Sequence, residues 1–223
     1  MIRLILALLS LNYFNVAFAE QPSNSTITKY VVVGVAGFRT RKSLINKKNI
    51  FSSEIATNGE KSGVWSYLPY NYSNILNSVY LTHFSSEKEI DQTIDLFMNN
   101  NSCDQSIGLI ILANSWGASV ANQLASRYQQ ICNRMTDLFI MIDGINKPFI
   151  APYSKSINAN ICLNYYQNES FIHGDSINNC QNNLIQTKKY NSLMKAHISV
   201  EWIASRKANE IIYKFINHNF PIP

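Results

Sequence analysis

Apolar residues in this chain fall into short unbroken runs that alternate with stretches of helical period. Tyr30-Val-Val-Val-Gly-Val-Ala-Gly37 is apolar on both faces and ends in glycine, the pattern of a strand buried on both sides. A basic and polar segment follows to about residue 63, and Val79-Tyr-Leu-Thr-His-Phe84 predicts a second strand. Ser86 then stands as a capping residue ahead of a helix to Met98, with Ile90, Ile94, Phe97 and Met98 on one face. The run over 107–113 predicts a third buried strand, and Val120, Ala121, Leu124, Ala125 and Tyr128 mark the apolar face of a helix over 115–131. Asp137-Leu-Phe-Ile-Met-Ile-Asp143 predicts the next buried strand. Residues 144–190 hold Gly, Pro, Asn and Tyr with little periodicity and read as a long loop region. A last helix is predicted from about Val200 to Asn217 by Ile203, Ile211, Ile212, Phe215 and Ile216. Strands alternating with helices imply an α/β fold, a three-layer α/β/α sandwich around a mostly parallel sheet.

The N-terminus changes where this fold is expected to work. Arg3 precedes an apolar run that ends in Ala17-Phe-Ala19 before polar residues. That is the pattern of a secretory signal peptide over 1–19 with a small-x-small cleavage site, leaving 20–223 as a single domain that is secreted or periplasmic. Asn12 and Asn15 interrupt the run, and no later segment reaches spanning length, so no stable membrane insertion is expected after cleavage. The net charge of +5 is modest. Its one local concentration, Arg39, Arg41, Lys42, Lys47 and Lys48, lies in a loop-like stretch and reads as a solvated face, so nucleic acid is not an expected partner.

Four cysteines in an exported chain suggest two disulfides, with three possible pairings. Cys103 lies just before the strand at 107 and Cys132 just after the helix that returns from it, which brings those two ends together. The local solution is Cys103 with Cys132 and Cys162 with Cys180. No CxxC or HxxxH spacing supports a metal site instead.

The candidate chemistry begins where the strand at 107–113 breaks into a helix, at Ala113-Asn-Ser-Trp-Gly117. A serine on a sharp strand-to-helix turn needs small residues two before and two after it, because the backbone there is crowded; Ala113 and Gly117 supply them. The helix beginning beside Ser115 offers backbone N–H groups and a partial positive charge to a developing oxyanion. In a doubly wound sheet, reactive groups gather where loops leave the carboxyl ends of the strands. Asp143 ends the next strand, and His197 stands directly before the last predicted helix. Asp175, in His173-Gly-Asp-Ser, competes with Asp143 for the role of acid. The aromatic stretch Trp65, Tyr67, Tyr70 and Tyr72 could line a substrate pocket or pack against the sheet.

With Ser115, Asp143 and His197 in that order and context, the chain resembles an α/β-hydrolase-fold serine hydrolase of the small secreted lipase, esterase or thioesterase kind, without a large cap domain. The resemblance runs from Tyr30 to the C-terminal helix. It implies Ser115 as nucleophile, His197 as general base and Asp143 as the acid that orients it. It also implies an oxyanion hole from the backbone N–H groups of Trp116 and Phe38. The substrate implied is a small-molecule or lipid ester, with no cofactor. Two departures are visible: Ala113 replaces the first glycine of the elbow, and Ala36-Gly37-Phe38 stands where a His-Gly pair is usual. An inactive binding protein on the same fold, or an acyltransferase or peptidase, are the alternatives.

Overall fold

A computed structural model describes residues 26–37, 73–146, 156–187 and 195–217. The leader at 1–19, the basic cluster, Phe38 and the aromatic stretch over 65–72 lie outside them.

In chain order the elements are β1 (Lys29–Ala36), β2 (Ile75–Thr82), α1 (Glu87–Ile94), the short strands β3 (Met98–Asn99) and β4 (Ser102–Cys103), and β5 (Ile107–Asn114). They continue with α2 (Ala118–Cys132), β6 (Thr136–Ile142), β7 (Ala159–Tyr166), β8 (Gln181–Leu184) and α3 (Lys195–Ile216). Six strands form one sheet in the order β2-β1-β5-β6-β7-β8, and every pairing in it is parallel. From β1 the chain steps outward to β2, then returns to lay β5 on the other side of β1. The switch point of the topology therefore falls between β1 and β5, the place where open sheets of this kind gather their reactive groups at the carboxyl edge.

The period-two alternation of the central strands sorts their side chains into two cores. Val31, Val33, Val35, Leu109, Ile111, Phe139 and Met141 face α1 and α2, meeting Ile90, Ile94, Leu124 and Tyr128. Val32, Ile110, Leu112, Leu138, Ile140 and Ile142 face α3, meeting Val200, Ala204, Ala208, Ile212 and Ile216. These two faces make the three layers. Each fully buried branched side chain contributes roughly 1.5 to 3 kcal/mol relative to exposure, so the central strands dominate the stability of the sheet.

Ser86 caps α1 with the reciprocal box that the sequence suggests: its side chain accepts from the Glu89 N–H while its own N–H donates to Glu89 Oε2 at 2.8 Å. The helix stops at Ile94, and a 3-10 turn over Asp95–Phe97 leads into β3, so the helix predicted to Met98 is shorter. β2 begins at Ile75, four residues before the predicted start, because Leu76 and Asn77 lie exposed on a sheet edge and carry little apolar signal.

The largest difference lies in 144–190. The stretch read as loop contains β7 and β8, which extend the sheet beyond β6. β7 hides because Asn160 and Asn164 interrupt its apolar run, and β8 is a four-residue polar strand, Gln-Asn-Asn-Leu, of the kind suited to a sheet edge. Asn164 is nonetheless buried, with Nδ2 donating to Asp175 O and Asn182 Oδ1, both at 2.8 Å. Both expected disulfides are present: Cys103–Cys132 ties the approach to β5 to the end of α2, and Cys162–Cys180 ties β7 to the residue before β8.

The last helix starts at Lys195, so His197 sits in its first turn and not ahead of it. Its buried face is the row Ala196, Val200, Ala204, Ala208, Ile212 and Ile216, spaced four residues apart. Ile203, counted from sequence as part of that face, is 40% exposed. The three alanines let the helix approach the sheet closely, and they are easily passed over when large side chains are used to find a face.

Candidate active site

Five strands deliver the residue immediately after their last position to one place. Gly37 follows β1, His83 follows β2, Ser115 follows β5, Asp143 follows β6 and Gln167 follows β7. α3 crosses above them and brings His197 and Glu201.

Ser115 has φ of 51°, the left-handed conformation expected of a residue on a strained strand-to-helix turn. The turn is possible because Gly117 has no side chain: a Cβ there would collide with the Val35 carbonyl oxygen. Gly37 is equally constrained, since a Cβ would lie 2.5 Å from Ser115 Cβ. Gly37, the first residue after β1, thus lies directly against the serine. Asp143 also has positive φ, 43°, and its N–H donates to Tyr165 O at 2.6 Å, turning the carboxylate back over the sheet edge.

The three sequence-predicted side chains come together. Ser115 Oγ lies 2.9 Å from His197 Nε2, and His197 Nδ1 lies 2.6 Å from Asp143 Oδ2. All three are buried. A carboxylate can only accept, so the imidazole proton sits on Nδ1 and leaves the Nε2 lone pair for the serine hydroxyl. Such a line of groups can draw a proton from the hydroxyl and stabilise the imidazolium that results. Asp175 does not compete: its side chain is 70% exposed and lies 3.9 Å from His173.

Burial alone would lower the pKa of His197, but the hydrogen bond it donates to Asp143 and the charges of Glu201 and Asp143 outweigh it, and the net direction is upward. Asp143 is itself held on every side. Its Oδ1 accepts from Gly174 N at 2.7 Å and Gln167 N at 3.2 Å, while Oδ2 accepts from Gln167 Nε2 at 3.1 Å besides His197. Gln167 is fully buried and also donates to Ile172 O, so the loop after β7 is folded around the acid.

Beyond the serine, Gly37 N–H donates to Asn114 Oδ1 at 3.0 Å, and His83 Nδ1 donates to Gly37 O at 2.6 Å. Trp116 stands next to Ser115, its ring edge-on to His83 with centroids 5.5 Å apart. Phe38, the other oxyanion-hole candidate, lies outside the described residues. Among the described residues no group of three or more His, Cys, Asp or Glu side chains could hold a metal ion.

Sequence reasoning missed Gln167, Gly174, His83, Asn114 and Glu201. Two signals could have found some of them: the rule that the first residue after each parallel strand faces the site, and the four-residue spacing of His197 and Glu201, which places both on one helical face.

No protein-family model and no curated protein matches the sequence. Among solved structures, a presumed hydrolase of the alpha/beta superfamily from Xanthomonas campestris pv. campestris aligns over 82% of this chain and 98% of its own, with 11% identity and a TM-score of 0.43. A likeness that weak carries no weight for function, which rests on the site itself.

Proposed function

We propose that the protein is an exported serine hydrolase that cleaves a carboxylic ester or thioester through an acyl-enzyme on Ser115. The observation that carries this reading is the unbroken hydrogen-bonded line from Asp143 through His197 to Ser115, on a serine with left-handed backbone at the switch point of a parallel sheet. Ser115 Oγ attacks the carbonyl carbon as its proton passes to His197 Nε2. The tetrahedral oxyanion is taken up by the Trp116 N–H and a second N–H from the loop after β1, that of Phe38. Collapse expels the alcohol or thiol, which takes the proton from His197. Water then repeats the sequence on the acyl-enzyme, losing its proton to His197 and releasing the carboxylic acid and free Ser115. Export is supported by the leader pattern at 1–19 and by the two disulfides, which persist in oxidising compartments.

The test is labelling of the purified protein with a fluorophosphonate probe, with the modified peptide mapped. Modification at Ser115 that disappears in Ser115→Ala and falls in His197→Ala is the expected result. A folded wild-type protein that resists the probe would overturn the assignment and favour a binding role for the fold.

A further inference from the structure

The hydrolase reading uses three side chains, yet a second carboxylate is buried beside them. Glu201 lies one turn after His197 on α3 and is 8% exposed. Its Oε1 accepts from Asn114 Nδ2 at 2.6 Å and stands 3.6 Å from His197 Nε2, the imidazole edge that faces Ser115. Asn114 is the residue before the serine, and its Oδ1 accepts from the Gly37 N–H. The Gly37 carbonyl in turn accepts from His83 Nδ1. One chain of buried polar contacts therefore runs from the helix that carries the base, across the elbow, to the loop beside the serine.

Resting on the hydrolase reading, we propose that Glu201 is a positioning residue of this site: it fixes the Asn114 amide that holds the Gly37 loop, and its charge faces the imidazolium from the side opposite Asp143. The first half follows from donor and acceptor chemistry. A carboxylate offers no proton, so Asn114 must turn its NH₂ toward Glu201 and leave its carbonyl for Gly37. Without Glu201 the Asn114 amide keeps only the Gly37 N–H to set its sense and loses its anchor on the other side, so the Gly37 peptide is held less firmly. The second half follows from distance. At 3.6 Å, Glu201 is too far from Nε2 for a hydrogen bond, so it leaves that nitrogen to Ser115 while still acting on its charge. Among the described residues, the charged groups acting on His197 are Asp143, at the end of β6, and Glu201; β5 and its turn contribute neutral Asn114 and Ser115.

Burying two carboxylates against one imidazole raises its pKa, which depletes the free base at low pH but holds the imidazolium once formed. Glu201→Gln keeps an acceptor for Asn114 and deletes only the charge, whereas Glu201→Ala deletes both. The experiment titrates His197 by ¹H–¹⁵N NMR on histidine-labelled protein, with His197→Gln assigning its signal among the four histidines, and measures the pH dependence of fluorophosphonate labelling alongside. In Glu201→Gln the His197 midpoint and the acidic limb of labelling both move to lower pH by about one unit. In Glu201→Ala the labelling rate at high pH, where the imidazole is neutral in every variant, falls about tenfold below that of Glu201→Gln. A midpoint unmoved in Glu201→Gln, or equal high-pH rates in the two variants, overturns the inference. The NMR readout needs no reactive serine: a lowered midpoint in a protein that the probe does not label would sustain Glu201's electrostatic part while refuting the hydrolase reading.

Discussion

Replacing Gly37 by alanine tests whether the loop after β1 takes part in the chemistry. Gly37 does not have a left-handed backbone, so alanine can adopt its conformation and the effect is one of space alone. The added methyl would sit 2.5 Å from Ser115 Cβ, 2.9 Å from its Oγ and 3.1 Å from the Asn114 carbonyl oxygen. Non-bonded carbons pack at about 3.5 to 4.0 Å, so loop and elbow must part by about 1 Å. A misplacement of that size costs on the order of a hundredfold in rate. Loss of a single oxyanion donor costs about 3 kcal/mol, an effect of the same order when converted at about 1.4 kcal/mol per decade. Overpacking at a strand end should cost about 1 to 3 kcal/mol of stability, which leaves the sheet folded. The assay is the second-order rate of fluorophosphonate labelling and the hydrolysis of a short nitrophenyl ester, both above the His197 midpoint, with a thermal melt to establish that Gly37→Ala is native. A folded variant that reacts within about threefold of wild type, against the hundredfold expected, would refute the placement of this loop in the reaction.

Three further outcomes are expected. Because His197 titrates above the ordinary histidine value of about 6.5, kcat/KM should rise with pH to a midpoint above that value; the same group stabilises the fold fully below it, and that stability is lost as pH rises through the folded pKa, so activity and melting temperature should move in opposite senses there. A kinetic midpoint below 6.5, the free imidazole value to about half a unit, contradicts the environment described. Gln167→Leu removes a buried donor to Asp143 and should slow labelling at least about tenfold, with Gln167→Glu slower still because it sets a second carboxylate against the first; rates equal to wild type would mean that Asp143 needs no such support. Replacing Cys162 and Cys180 together by serine opens a crosslink between residues 18 apart and should lower stability by about 3 kcal/mol on the chain-entropy argument, read from denaturant unfolding of oxidised protein.

The layers and the site were legible in the sequence to different depths. The central strands β1, β5 and β6 could be read because, buried on both faces, they are nearly continuous in apolar residues. Ser115 and Asp143 follow two of them and could be read with them. β7 and β8 could not: Asn164 is buried with its amide nitrogen held by Asp175 and Asn182, contacts that no local pattern reports. Gln167 was lost with the strand that delivers it. His197 was found for its place near the last helix, although the helix begins before it, because the alanines that extend the buried row carry no bulk. Glu201 had a visible spacing from His197, but a glutamate on a helix ordinarily reads as solvated, and only its bond to Asn114 reveals otherwise.

The helix that closes one face of the sheet also carries the imidazole. Ala196, Val200, Ala204, Ala208, Ile212 and Ile216 seal that layer, and His197 rides on the same rigid rod. Ser115 and Asp143 are both synthesised before it. On the hydrolase reading, a chain still emerging or still threading through an export channel carries a serine with no base, and becomes reactive only when this rod docks. Chemical competence is then a late event in maturation, tied to completion of the core. A chain that fails to complete its core is silent, not indiscriminately active, and the cell that makes it is spared the activity until folding has finished elsewhere.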